Sequence, residues 1–121
     1  MHLGTEVLIE FFDCDKTILA DVRRVEKIMV EAARSTKSHI VDVIFHTFNP
    51  LGVSGVVVIK ESHLAIHTWP EHAYACVDIF TCGKNTQPWR AYRPLKKLLK
   101  AKRASAMEIK RGLMVSNGKT K

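Results

Sequence analysis

The stretch SGVVVIKESHLAIHTWPEHAYACVDIFTC, residues 54–82, decides how the chain is read. It opens with the apolar run Val56-Val57-Val58-Ile59. Lys60-Glu61-Ser62-His63 follow at once, then His67, Trp69-Pro70-Glu71-His72, Cys76 and Cys82. A solvated loop is not built this way. β-branched residues leading straight into hydroxyl, carboxylate and imidazole groups read as a core strand that delivers polar side chains to a site. Val53 to Lys60 does not alternate, so the expectation is a strand covered on both faces. Leu64 to Thr68 reads as the next strand, and Pro70-Glu71-His72 turns the chain. Ala73 to Thr81 reads as another strand, with Tyr74, Cys76, Asp78 and Phe80 on one face and Ala75, Val77 and Ile79 on the other.

Outward from this stretch, residues 2–12 suit a first strand through Val7-Leu8-Ile9-Glu10-Phe11-Phe12. Asp13 and Asp15 offer helix N-caps. Ile18, Val22, Val25, Met29 and Ala32 then form one apolar stripe, which predicts a single helix to about Arg34. His39 to Phe48 alternates as a strand, with Ile40, Asp42 and Ile44 on one side and Val41, Val43 and Phe45 on the other. Asn49-Pro50-Leu51-Gly52 is turn chemistry. Pro88 opens a second helix through Leu99, with Pro94 ending or bending its first turn. Ala104 to Leu113 reads as a last strand, and Ser116-Asn117-Gly118 begins a frayed end. The order β-α-β-β-β-β-α-β predicts an α+β fold: a two-layer sandwich, mostly antiparallel sheet, with helices on one face. Residues 1–121 form one domain.

The apolar fraction, 46%, is that of an ordinary globular protein. No apolar run approaches the ~20 residues of a membrane span, and no secretory signal opens the chain. Cys14, Cys76 and Cys82 cannot all pair and none lies in a CxxC, so a cytoplasmic location is expected. The net charge of +7 is uneven: residues 1–83 carry 7 Lys/Arg against 11 Asp/Glu, and residues 84–121 carry 12 against 1. The basic segment carries no recognisable nucleic-acid motif, so it reads as a solvated face and a nucleic-acid partner is not expected.

Three chemistries compete for the polar cluster. His63 and His67 share a strand face, with Glu71, His72, Cys76 and Cys82 nearby, but no spacing is that of a zinc site, and no metal is expected. Ser62 with His67 and Cys82 has the parts of a hydrolase without a GxSxG elbow. Cys14, Cys76 and His72 read as structural.

The third reading is a resemblance. SGVVVI followed by KESHLAIHTWPE, closed by TCG, resembles the bacterial and archaeal S-adenosylmethionine decarboxylases, small pyruvoyl-dependent enzymes; the likeness runs from about Phe48 through Cys82. It implies a proenzyme cleaved between Glu61 and Ser62 into a β chain (1–61) and an α chain (62–121). Ser62 becomes the pyruvoyl group, which holds the substrate amine as a Schiff base, and no metal takes part. His67 is the proton acceptor in processing, and Ser54 assists the same step. Cys82 is the proton donor in decarboxylation, while Phe48 and Glu71 bind S-adenosylmethionine. The product would be the aminopropyl donor for spermidine. A homo-dimer of processed protomers is implied, with sites at or near the interface. Two alternatives stand beside this reading: an arginine decarboxylase of the same family, and a non-enzymatic basic binding protein acting through residues 84–121.

Overall fold

Period-two alternation sorts the strands' apolar side chains to one side, and a single sheet collects them there. The computed structural model describes residues 2–48, 50–83 and 85–113. Six strands run β1 (Gly4–Phe12), β2 (Ile40–Phe48), β3 (Gly52–Ile59), β4 (Ser62–Trp69), β5 (Tyr74–Cys82) and β6 (Arg103–Arg111). They form one sheet in the order β2-β3-β4-β5-β1-β6, antiparallel at every pairing. Helices α1 (Lys16–Leu19), α2 (Val22–Ser35) and α3 (Tyr92–Leu98) cover one face. The α+β two-layer architecture is as the sequence predicts. Asn49, in the predicted turn, and Ser116-Asn117-Gly118 lie outside the described residues.

The core lies between sheet and helices. Val7, Ile9 and Phe11 of β1, Val53, Val57 and Ile59 of β3, Leu64 and Ile66 of β4, and Val77 and Ile79 of β5 meet Val25, Met29 and Ala32 of α2, and all are buried. Thr68 is the polar residue that ties this core together. Its Oγ1 accepts from the Val53 amide at 2.9 Å and its hydroxyl donates to the Leu19 carbonyl at 2.8 Å, joining β4, β3 and α1.

The structure corrects several local expectations. The predicted first helix is two helices. Asp15 caps α1 through the Ile18 amide at 3.0 Å, and Asp21 caps α2 through the Arg23 and Arg24 amides. A second Asp at a strong cap position restarts the helix although the apolar stripe runs on across the break. Asp13 caps nothing; it adopts φ +57° and pairs with Arg103 at 2.8 Å. In β2 the register shifts between Ile40 and Asp42. This bulge turns Val41 outward, 62% exposed, and groups Ile40 with Val43 and Phe45 against the core.

β3 is covered on one face only. Val53, Gly55, Val57 and Ile59 are buried while Ser54, Val56 and Val58 remain half-exposed, because no helix crosses the other side. β4 begins at Ser62, two residues earlier than predicted, and β6 ends at Arg111. The predicted second helix is a 3-10 turn, Pro88–Ala91, followed by α3. Pro94 sits in the first turn of α3, where its missing N–H leaves no bond unmade.

Candidate active site

β3 and β4 form a hairpin whose two ends carry different chemistry. At the tip, Lys60 and Glu61 make a two-residue loop between the paired residues Ile59 and Ser62. Glu61 is left-handed, φ +66°. The Lys60 amide is tied to the His39 carbonyl at 3.0 Å. Ser62 Oγ donates to the Glu61 carbonyl oxygen at 2.6 Å and accepts from the Cys82 backbone amide at 2.9 Å. β5 therefore ends where its last residue can hold the serine oxygen. Ser62 and Cys82 are brought together at this tip, both half-buried.

At the open end lies a second group. Ser54 and His67 are direct cross-strand partners, and Ser54 Oγ and His67 Nδ1 lie 2.8 Å apart. Phe48 pairs with Gly52, and a Cβ on Gly52 would stand 2.8 Å from the Phe48 ring. Glycine thus lets that ring lie flat across β3, on the uncovered face, where it is 41% exposed. Glu71 follows Trp69 on the 3-10 turn Pro70–His72, exposed beside Leu51 and Pro70 in a groove of about 740 Å³.

These two groups are not in contact within one chain. Ser62 and His67 are five residues apart on one strand, roughly 17 Å at the usual rise per residue.

The uncovered face carries groups that the sequence pattern did not connect. Asp78 pairs with Ala65, flanked along β4 by His63 and His67. Its carboxyl is held above the usual range, first by burial and then by Glu6, with the two histidines opposing. Tyr74 donates to Glu10 at 2.7 Å, and burial followed by that hydrogen bond raises its pKa. Burial, then Asp78, raises the Cys76 thiol. The Trp69 ring lies tilted against Tyr74 at 5.4 Å and beside the exposed His67 imidazole at 6.3 Å. Strand parity placed Tyr74, Cys76 and Asp78 on one face, but only the β1–β5 register brings Glu6 and Glu10 to them. Cys14 is buried under the sheet and pushed up to about 11, again first by burial. Among the described residues no three His, Cys, Asp or Glu side chains are grouped to hold a metal ion, and no helix is long and apolar enough to cross a membrane.

The fold and the hairpin tip together define a small α+β protein with a serine hydroxyl set against its own preceding carbonyl. Comparison with known proteins is then direct. Residues 5–112 match the S-adenosylmethionine decarboxylase family. The S-adenosylmethionine decarboxylase proenzyme of Thermosipho melanesiensis is 54% identical over 110 residues, 91% of this chain and 85% of that one. The proenzyme of Caldanaerobacter subterraneus subsp. tengcongensis is 53% identical over 111 residues, 92% and 90% of the two chains. The crystal structure of the adenosylmethionine decarboxylase from Aquifex aeolicus superimposes with a TM-score of 0.88 at 28% identity, covering 99% of this chain and 98% of that one. The chain belongs to the S-adenosylmethionine decarboxylase family.

Proposed function

We propose that this chain cleaves itself between Glu61 and Ser62, into segments 1–61 and 62–121, and then decarboxylates S-adenosylmethionine. The observation that carries the reading is Ser62 Oγ, held between the Glu61 carbonyl at 2.6 Å and the Cys82 amide at 2.9 Å. A serine hydroxyl is a weak nucleophile, and held geometry is what it lacks in solution. Here the hydroxyl already rests on the group it is to attack. Oγ adds to the Glu61 carbonyl carbon, the bond from that carbon to the Ser62 nitrogen breaks, and the hydroxyl proton passes to the nitrogen. The product is an ester and a free amine. Removal of the residue 62 α-proton by a base then expels the Glu61 carboxylate. The dehydroalanine left behind hydrolyses to a pyruvoyl group and ammonia.

The surroundings of Ser62 fit that group: a half-buried position with the Cys82 amide as a hydrogen-bond donor. A pyruvoyl ketone supplies an electron sink for the pair released with CO2. The chain's own residues do the rest. Cys82 carries a thiol suited to returning a proton to the former α-carbon. The Phe48 ring face attracts the sulfonium cation or stacks on adenine. Glu71 accepts from the two ribose hydroxyls. Ser54 holds His67 through Nδ1, leaving Nε2 to act as the base.

The ~17 Å between Ser62 and His67 on one strand supports a site completed by a second copy. Ser62 and Cys82 of one protomer would work with Ser54, His67, Phe48 and Glu71 of its partner. This is the role of the dimer, and the uncovered sheet face is the surface available for it.

Denaturing mass spectrometry tests the cleavage: wild type should give two chains broken after Glu61, and Ser62→Ala one. Release of CO2 from carboxyl-labelled S-adenosylmethionine, with labelled arginine alongside, tests the substrate. Faster release from arginine would overturn the S-adenosylmethionine assignment.

A further inference from the structure

Five non-glycine residues among those described have positive φ: Asp13, Lys37, Glu61, Ala73 and Lys100. Lys37 and Lys100 follow the C-caps of α2 and α3, and Ala73 is the C-cap of the 3-10 turn, positions where a left-handed residue ends a helix. Asp13 closes β1 in an ion pair with Arg103. Glu61 has no helix to end. It stands at the second position of a tight hairpin loop, where glycine or asparagine is the usual residue. The loop is held from both sides, by Lys60 on the His39 carbonyl and by Ser62 on the Glu61 carbonyl and the Cys82 amide.

We infer that left-handed Glu61 is a strain device that speeds the attack of Ser62 on its carbonyl. The inference rests on the self-cleavage reading above and adds a positioning role for the residue before the nucleophile. A left-handed L-residue is strained because its Cβ crowds the backbone beside it, and the peptide unit that Ser62 attacks is one of the two that hold Glu61 in that region. As Oγ bonds to the carbon, the centre becomes tetrahedral, the C–O bond lengthens and the planar peptide unit is lost. The crowding is thus present before the attack and relieved during it. Once the carbon–nitrogen bond has broken, residue 61 is free to leave the left-handed region. If the whole cost of the conformation is released in the transition state, the gain is about 5- to 30-fold in rate.

The test follows self-cleavage during cell-free synthesis by denaturing mass spectrometry, for wild type and for Glu61→Ala, Glu61→Asn and Glu61→Gly. Alanine keeps Cβ and should cleave within about twofold of wild type. Glycine should be slower by about 5- to 30-fold, with asparagine, which tolerates the left-handed region, between them. A parallel series in the uncleavable Ser62→Ala background gives the melting temperature. There Glu61→Gly should melt higher than Glu61→Ala, whereas a merely loosened hairpin would melt lower. Equal cleavage of the glycine and alanine variants overturns the inference, as does a glycine variant that cleaves slowly and melts low. An alanine variant as slow as glycine also overturns it, since the carboxylate would then be the active feature. Wild type that stays uncleaved, or Ser62→Ala that cleaves, would instead sink the self-cleavage reading.

Discussion

The separation of Ser62 from His67 yields a quantitative prediction. In the proposed assembly each site takes Ser62 from one protomer and His67 from the other. Ser62→Ala chains alone cannot cleave, and His67→Ala chains alone should cleave very slowly. Co-expression at equal levels gives homodimers of each kind and heterodimers in the ratio 1:1:2. Every heterodimer has one site with both mutations and one with neither. About half of the His67→Ala chains should therefore be cleaved and none of the Ser62→Ala chains, or about a quarter of all potential sites, by the symmetry of a two-fold interface. Distinct tags on the two chains let denaturing mass spectrometry count each population, and native mass spectrometry verifies that heterodimers formed. The expectation follows from distance. A base acts within ~3 Å of its proton, and five strand residues span ~17 Å, a gap no side-chain rotation closes. Verified heterodimers in which His67→Ala chains stay whole would refute the shared site. So would His67→Ala homodimers that cleave at the wild-type rate.

Three further outcomes follow from the structure. Cys82→Ala should still cleave, because the Cys82 contact to Ser62 is through its backbone amide, but should release CO2 at least about 100-fold more slowly, the scale of lost general-acid catalysis; full turnover in single-turnover assays would show that another group returns the proton. Thr68→Val leaves the Val53 amide and the Leu19 carbonyl unpaired in the core, and should lower stability by ~1–3 kcal/mol in urea unfolding, whereas Thr68→Ser should lose less. Asp78→Asn should raise the melting temperature at pH 7 with little gain below about pH 4. Its folded carboxyl is raised by burial and then by Glu6, so the proton it binds stabilises the fold at low pH and that contribution is lost as pH rises through the folded value. A gain in melting temperature that is the same at both pH values would contradict this.

Alternation in Tyr74–Cys82 and the apolar run before Lys60 made the central strands legible, since strand parity is a property of sequence alone. The break between α1 and α2 was not legible: Ile18, Val22 and Val25 continue one stripe across Asp21, and only its hydrogen bonds to Arg23 and Arg24 show that it caps a new helix. The β2 bulge was equally hidden, because Val41 looks like any strand valine until its partner strand sets the register. Val56 and Val58 announced a second apolar contact, but one chain supplies nothing to make it. For the site, the residues were readable and their grouping was not. Ser62 and His67 are near in sequence and far in space, and their places at the two ends of one strand were the available sign that one chain would not unite them.

The half-exposed valines and the divided site call for the same arrangement. Consider two sheets stacked by their uncovered faces about ~10 Å apart, related by a two-fold axis lying between them, perpendicular to the strands and passing over the Val56–Ala65 pair. Rotation about that axis keeps each strand over its own copy but exchanges its ends. The Ser62–Cys82 tip of one hairpin then faces the Ser54–His67 end of the other, twice over. Small side chains at the axis, Val56 and Ala65, permit close approach, and Val58 and Ile44 lie on the same face to be covered. Asp78, paired with Ala65, comes near its own copy, and two carboxylates so placed resist ionising together. The assembly therefore predicts that Val56→Glu, adding like charge at the axis, dissociates the dimer and abolishes self-cleavage while leaving the core residues Val53 and Val57 untouched. Analytical ultracentrifugation and denaturing mass spectrometry on the same sample decide it. A Val56→Glu monomer that still cleaves after Glu61 would show that the axis is misplaced and that one chain carries the whole site.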